Sequence, residues 1–177
     1  LQWHLFVVAL TRKINRMSRY FTKEATLHES EIVHAIRQWA YPLHSKADLG
    51  PLYERIGDAR IVMLGEASHG THEYYTWRAH ITKKLVEEKG FTCIAVEGDW
   101  PDCYRLNRFV KGYDNEHKSA FKVMHNFNRW PTWLWANWET VAFADWMKQF
   151  NTGKPADRKV GFYGLDVYSL WESMESI

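Results

Sequence analysis

The chain has few of the residues that mark a secreted or membrane-spanning protein. It has two cysteines and five prolines in 177 residues, and none of its apolar runs approaches the roughly 20 residues that a membrane-spanning helix needs. Two cysteines are too few for a disulfide framework. Cys93 lies within an apolar run, which predicts a buried thiol in a reducing compartment. We therefore predict a cytoplasmic location and no membrane partner.

An excess of one charge is also missing over most of the chain, whose formal net charge is +2. Residues 24–177 hold 18 basic and 21 acidic side chains, a balance that does not favour nucleic acid as a partner. Residues 1–23 differ, with five basic residues and no acid. We predict that this basic leader is disordered or extra sequence, and contact with anionic lipid or RNA is the alternative. Its apolar run precedes its charges, the reverse of a signal peptide.

The remaining composition is typical of a globular protein, with 46% apolar and 25% charged residues. Apolar residues recur at helical spacing in several segments and form short continuous runs in others. The predicted helices cover residues 29–40, 48–56, 71–89, 101–110, 118–126 and 131–150, and the predicted strands cover residues 60–64, 91–96 and 160–165. This alternation predicts an α/β fold with a parallel-sheet core and crossover helices.

An acidic residue follows each predicted strand: Glu66, Glu97 and Asp166. Each of them alone has a plain structural explanation, the capping of a following helix. The carboxyl ends of neighbouring parallel strands open on one crevice, where ligands bind in such sheets. Three acids at equivalent positions therefore predict an active site at this edge.

The segment after the first predicted strand, residues 65–70, reads Gly-Glu-Ala-Ser-His-Gly. Its glycines allow tight turns, and its histidine, His69, is the side chain best suited to proton transfer near neutral pH. Arg78, on the following predicted helix, is placed to hold Glu97 ionised, unless it is a solvated surface residue. Ser68 does not fit the Gly-x-Ser-x-Gly nucleophile elbow, so a serine nucleophile is not favoured.

A metal site is a second interpretation of the same residues. Glu66, His69 and His72 are spaced by three, and Glu97 or Asp166 would add an oxygen ligand. The pattern is not His-Glu-x-x-His, so we predict no cofactor and keep a metal-dependent hydrolase as an alternative.

Three segments, in order, resemble the erythromycin esterase family: residues 61–78, which contain Gly-Glu-x-x-His-Gly, residues 91–97 and residues 162–168. The resemblance covers roughly residues 28–177. The Glu-Gly-Asp-Trp-Pro stretch at 97–101 is closer to uncharacterised bacterial homologues, some labelled succinoglycan biosynthesis-related. Family members are longer and their second halves supply further histidines, whereas no histidine follows His125 here. We therefore expect residues 24–177 to be the N-terminal part of such a catalytic domain.

The resemblance implies hydrolysis of an ester or lactone by activated water, without a covalent serine intermediate. By position, His69 is the general base, and Glu66, Glu97 and Arg78 are the other catalytic groups. The expected partner is a small-molecule ester or lactone, with a link to macrolide resistance and the response to antibiotics. A non-catalytic small-molecule binding domain with the same pocket is the alternative from another class.

Tryptophan is abundant, with ten in the chain and five between residues 130 and 146. One helix face can carry Trp135, Trp138, Ala142 and Trp146, which is the ordinary pattern of a core helix. The tryptophans that remain as candidates for lining an apolar or sugar-bearing pocket are Trp100, Trp130 and Trp133. We predict substrate contacts for Trp100, Asp166 and His72.

Overall fold

Residues 29–128, 131–166 and 170–175 are described by a computed structural model. The chain divides into two units with a boundary between Ala67 and Ser68, and each unit is described by itself. The predicted basic leader, residues 1–23, lies outside the described residues, and so does Trp130.

The first unit contains helix α1 (Glu29–Trp39), a 3-10 helix (Lys46–Leu49) and helix α2 (Gly50–Ile56). The 3-10 helix begins with a reciprocal cap. The Ser45 hydroxyl accepts from the N–H of Ala47 at 3.2 Å, and the Asp48 carboxylate accepts from the N–H of Ser45 at 2.7 Å. Both predicted helices of this unit are confirmed.

The strand predicted at residues 60–64 is not formed in the described structure, where a single bridge residue, Leu64, marks this segment. The side chains of Ile61 and Met63 are 79% and 57% exposed. Apolar spacing reports a tendency to be buried, but a strand also needs a neighbour that completes its ladder of hydrogen bonds. The prediction of a buried strand is therefore wrong for this segment.

The second unit holds both strands of the described sheet and five of its α-helices. In chain order they are α3 (His72–Lys89), β1 (Cys93–Val96), α4 (Trp100–Val110), α5 (Ala120–Met124), α6 (Trp138–Asn151), β2 (Gly161–Gly164) and α7 (Leu170–Glu175). Two 3-10 helices, Thr132–Leu134 and Ala156–Arg158, precede α6 and β2.

Strands β1 and β2 pair in parallel, with Cys93 opposite Gly161 and Val96 opposite Gly164. Helices α4, α5 and α6 form the crossover between them. This is the parallel α/β arrangement that the sequence predicts, and the strand predictions at 91–96 and 160–165 are confirmed within two residues. Both strands therefore end at the same edge of the sheet.

Helix α3 begins and ends where its sequence predicts. Thr71 is its N-cap and has an extended backbone. Gly90 ends it in the left-handed conformation, with φ of 72°, and donates its N–H to the carbonyl of Leu85. A side chain is costly in that conformation, so glycine is the favoured residue for this helix end.

The core of the second unit is built from α4, α5, α6 and β2. Its most deeply buried side chains include Leu106, Phe109, Val123, Met147 and Phe162. Two buried side-chain amides form hydrogen bonds with backbone groups around this core. Asn151 bonds the carbonyls of Val110 and Val160 and the N–H of Val160, each at 2.8 Å, and Asn107 accepts from the N–H of Phe162 at 3.0 Å.

Cys93 is exposed, which corrects the prediction of a buried thiol. Side chains alternate between the two faces of a strand. In β1 the core covers the face that carries Ile94 and Val96, and it leaves the face of Cys93 and Ala95 exposed. An apolar run predicts burial, but the core covers only one face of this strand.

The helix predicted at 131–150 begins seven residues later, at Trp138, with Asn137 as its N-cap. The buried face of α6 consequently carries Thr140, Phe143, Ala144, Met147 and Asn151. Trp138 is 69% exposed and stacks on Phe121, and Ala142 is also exposed. The predicted core stripe is therefore wrong for Trp138 and Ala142, because α6 turns a neighbouring face toward the core, whereas Trp135 and Trp146 do pack against that core.

Candidate active site at the strand ends

His69 lies in the Gly-rich loop that leads into α3, and its side chain is exposed. Gly70 follows it with a φ of 79°, a backbone conformation that glycine adopts without strain. The His69 ring lies 6.3 Å from the ring of Trp133, between centroids. The loop therefore presents an accessible imidazole beside an aromatic face.

Ser68 and Thr71 share a hydrogen bond in the same loop, with their hydroxyl oxygens 3.0 Å apart. The Ser68 hydroxyl thus contacts the N-cap residue of α3. This contact gives Ser68 a structural role in the loop, and its motif does not favour a serine nucleophile.

Backbone hydrogen bonds join the segments that follow β1 and β2. The N–H of Leu165 donates to the carbonyl of Val96, and the N–H of Asp166 donates to the carbonyl of Gly98, both at 2.9 Å. These bonds bring the segments of Glu97 and Asp166 side by side, as the sequence predicts.

Asp166 has a φ of 56°, which is uncommon for a residue other than glycine. Its carboxylate accepts a hydrogen bond from the Ser173 hydroxyl on α7 at 2.9 Å. A local side-chain bond of this kind helps to stabilise such a turn. Asp166 is therefore held at the strand end by backbone and side chain together.

Trp135 connects two of the predicted site residues, Arg78 and Glu97. Its indole N–H donates to the carbonyl of Glu97 at 2.6 Å. The Arg78 guanidinium lies over the rings of Trp135 and Tyr75, at 5.5 and 4.7 Å from their centroids. Cation–π contacts of this geometry fix the position of a guanidinium. Sequence reasoning had assigned Trp135 to the core and missed this connection.

Glu66 belongs to the first unit and is buried, with 6% of its surface exposed. A buried carboxylate is costly unless it is hydrogen-bonded or paired. Such burial is therefore unusual for a residue that only caps or decorates a surface loop.

His72 and Glu139 form a pair that the sequence did not predict. His72 Nδ1 contacts Glu139 Oε1 and joins the first turns of α3 and α6. The hydrogen bond from His72 lowers the pKa of Glu139. Glu139 lies well inside the helix predicted at 131–150, and its place in the first turn of α6, which is common for acids, is visible only once the start of α6 is known.

Two further acids, Asp99 and Asp102, are buried at the start of α4. Asp99 is the N-cap residue of that helix, and Asp102 accepts from Arg105 at 2.8 Å. Burial, followed by the charges of Asp102, Asp99 and Asp166, raises the pKa of the Cys103 thiol to about 12. The edge therefore carries more negative charge than the three predicted acids supply.

Trp100 opens α4 and stacks on Tyr104, with centroids 5.2 Å apart and planes at 19°. Its side chain is half-buried. A ligand contact for Trp100 stays a prediction. Within the described ranges, no group of three or more His, Cys, Asp or Glu side chains is arranged to hold a metal ion.

No helix in the described part of the chain combines the length and apolar character that a membrane span requires.

Comparison with known proteins identifies the family of the chain. The model of the family described as Erythromycin esterase matches residues 86–177, just over half of the chain. This range includes Glu97 and Asp166 and begins after the loop of His69. The protein named Erythromycin esterase type II from Escherichia coli is 28% identical over 127 residues, which are 72% of this chain and 28% of that protein.

Two solved structures are similar to this one. The crystal structure of a succinoglycan biosynthesis protein aligns with a TM-score of 0.65 and 31% identity, over 81% of this chain and 36% of that chain. A protein from Bacillus cereus aligns with a TM-score of 0.56 and 29% identity, over 76% of this chain and 33% of that chain. The chain thus spans about a third of the length of the proteins that it matches.

Proposed function

Because the chain belongs to the erythromycin esterase family, we propose that its strand-end edge forms part of a site that hydrolyses a carboxylic ester or lactone with histidine-activated water. The observation that carries this proposal is the segment from Trp133 to Trp135. Its first ring lies beside His69, and its last indole donates to the carbonyl of Glu97. One short segment thus serves both a proton-transfer group and a strand-end acid.

His69 is the general base of the proposed reaction. Its imidazole removes a proton from water as the water oxygen adds to the carbonyl carbon, and the ester C–O bond then breaks. The leaving oxygen takes up a proton and departs as an alcohol, so no covalent enzyme intermediate forms. The exposure of His69 supports this role, since a base must reach the water that it activates.

Arg78 and Glu97 complete the proposed catalytic set within the second unit, and a catalytic role for Glu66 stays a prediction. The guanidinium of Arg78, held over Trp135, offers N–H donors and positive charge to the oxyanion that develops at the carbonyl. The carboxylate of Glu97 orients the imidazole or the water. Asp166, Trp100 and His72 are proposed on the substrate side of the edge.

For the substrate, we put macrolactones first and acylated sugars second. The Escherichia coli relative is named for erythromycin, and one structural neighbour is named for succinoglycan biosynthesis. Hydrolysis of a macrolide in the cytoplasm would connect the protein to the response to antibiotics. The half-buried ring of Trp100 and the exposed ring of Trp133 offer the flat apolar surfaces that such bulky ligands need.

The test is hydrolysis of macrolides, simple lactones and acylated sugars by the intact protein and its His69→Gln variant. Loss of the general base is expected to lower kcat/KM by about 10²- to 10⁴-fold. His34→Gln is the matched control, since His34 is exposed on α1 and bonds Gln38 at 2.9 Å. Full activity of His69→Gln would overturn the proposal. Binding of a macrolide with no hydrolysis by the intact protein would instead support a small-molecule binding domain.

A further inference from the structure

The pair of His72 and Glu139 has the geometry of an oriented proton-transfer group. His72 is the first residue of α3, in the helix that the His69 loop enters, and Glu139 is the second residue of α6. The contact joins Nδ1 of the imidazole to a carboxylate oxygen. The other ring nitrogen, Nε2, lies 3.4 Å from the hydroxyl of Thr76. The pair therefore fixes one nitrogen, while the other makes a long contact with Thr76 on a side chain that is mostly exposed.

Proton transfer requires that the imidazole reach solvent, and the imidazole is the more exposed of the two side chains. The His72 side chain is 66% exposed and that of Glu139 is 22% exposed. The hydrogen bond from His72 lowers the pKa of Glu139, so the carboxylate stays ionised at neutral pH. A carboxylate on Nδ1 holds the imidazole in one tautomer and orientation and offsets the charge that it acquires with a second proton. His72 can thus exchange protons with solvent through Nε2.

A purely structural role explains the pair less well. An ion pair with one exposed partner contributes only about 0–1 kcal/mol to stability. Helices α3 and α6 already carry buried apolar residues on their inner faces, among them Ile81, Leu85, Phe143 and Met147. The packing of these helices does not need a histidine at position 72.

We propose that His72 is the general acid of the hydrolysis and that Glu139 is its positioning residue. This inference rests on the proposed function. When the C–O bond of the ester breaks, its electron pair goes to the leaving oxygen, which takes the proton from His72 Nε2 and departs as the alcohol. Solvent then returns a proton to His72, while His69 releases to solvent the proton that it took from water. The net change is one ester and one water converted to one acid and one alcohol.

The experiment compares two esters of the same acid that differ in their need for a general acid. Ethyl butyrate releases an alkoxide, which needs a proton as it leaves, whereas p-nitrophenyl butyrate releases a stable phenolate. In the intact protein, His72→Gln is expected to lower kcat/KM for ethyl butyrate by about 10²-fold and for p-nitrophenyl butyrate by less than about threefold. Equal losses on both esters would overturn the assignment of His72.

The role of Glu139 is tested by combining its substitution with that of His72 in a double-mutant cycle. Glu139→Gln is expected to lower ethyl butyrate hydrolysis by about tenfold in the wild-type background and to have no further effect when His72 is already Gln. Glu88→Gln is the matched control, since Glu88 pairs with Lys84 on the surface of α3 at 3.7 Å. Additive losses in the double variant would overturn the positioning role.

A spectroscopic measurement separates this inference from the proposed function. In protein labelled with nitrogen-15 at histidine, the Nδ1 of His72 is expected to carry a proton, and Glu139→Gln is expected to shift its resonance. An unprotonated Nδ1 in neutral His72 would overturn the pairing, whatever the activity. Loss of both ester activities in His69→Gln supports His69 as the general base. Selective loss of ethyl butyrate hydrolysis in His72→Gln supports His72 as the general acid.

Discussion

The two cysteines of the chain differ in the environment that the fold gives to their thiols. Cys93 is exposed at the start of β1, and Cys103 is buried in α4. Burial, followed by the charges of Asp102, Asp99 and Asp166, raises the pKa of Cys103 to about 12. Because the thiolate is the reactive form, the Cys103 thiol is expected to be inert at neutral pH.

We predict that iodoacetamide at pH 8 alkylates Cys93 at least about 100-fold faster than Cys103 in the native protein, since the pKa of Cys103 keeps its thiol protonated. Peptide mass spectrometry of the labelled protein measures both sites. In guanidinium the two sites should react at similar rates, which serves as the control. Equal labelling of both cysteines in the native state would contradict the burial of Cys103.

At the same scale, sequence position predicted some of the contacts at the proposed site and missed others for a physical reason. Glu97 and Asp166 were predictable because each directly follows a strand, and parallel strands end at a common edge. Trp135 and Glu139 were not, because each acts through a partner far away in the chain. Trp135 contacts the carbonyl of Glu97, 38 residues earlier, and Glu139 contacts His72, 67 residues earlier. Spacing carries no information about such contacts.

At the scale of elements, the turn after β2 packs directly against the turn after β1. A Cβ atom added to Gly164 would lie 2.5 Å from the carbonyl oxygen of Gly98 and 2.7 Å from that of Asp99. Both neighbours are backbone atoms, which cannot swing aside. Glycine at 164 therefore lets the two strand ends approach closely enough to bring Glu97 and Asp166 together.

We predict that Gly164→Ala destabilises the protein by about 1–3 kcal/mol, because the added methyl group forces the two turns apart. It should also lower the proposed hydrolysis by about 10²-fold, since displacing a proposed catalytic group by about 1 Å has effects of that size. Thermal unfolding and kcat/KM measure the two effects. Gly50→Ala is the control, because a Cβ there meets nothing within 4 Å, and it should change stability by no more than about 0.5 kcal/mol. Unchanged stability of Gly164→Ala would contradict this packing.

The bounds of the helices show where sequence patterns predict the structure correctly. Helix α3 was predicted to its end residues because Thr71 and Gly90 supply both a start and a stop signal. Helix α6 was placed seven residues too early because Pro131 is also a suitable first residue of a helix. In the structure, Thr132–Leu134 forms a separate 3-10 helix, and the capping side chain of Asn137 starts α6. Two competing start signals in one segment cannot be ranked without the packing that follows.

At the scale of the whole molecule, the fold class and the family were both predictable, and both predictions are confirmed. The fold-class prediction rests on the order of strands and helices along the chain, and the family prediction rests on three resembling segments, one of which contains Gly-Glu-x-x-His-Gly. The segment at 60–64 is the exception, since its apolar composition matched a buried strand while Ile61 and Met63 remain exposed. Composition and order therefore identify an architecture more securely than the burial of a single segment.

The distribution of charge over the whole chain decides what kinds of polymer it can bind. Residues 24–177 carry 18 basic and 21 acidic side chains, and the five remaining basic residues lie within 1–23. Affinity for nucleic acid depends on the number of phosphates that basic residues neutralise, and it falls steeply with salt. Any binding of DNA by this chain should therefore come from the leader and should disappear as the salt concentration rises.

We predict that the 177-residue chain shows no binding to a fluorescent 20-base-pair duplex at about 150 mM salt and up to about 10 µM protein. Weak binding at about 20 mM salt is expected from the leader alone, because the release of counterions from the DNA is more favourable at low salt. A variant with Gln in place of Arg12, Lys13, Arg16, Arg19 and Lys23 isolates this contribution and should not bind at either salt concentration. Fluorescence anisotropy measures both proteins. Binding at about 150 mM salt that survives the five substitutions would require a basic surface on residues 24–177, which the balance of charge in that part of the chain argues against.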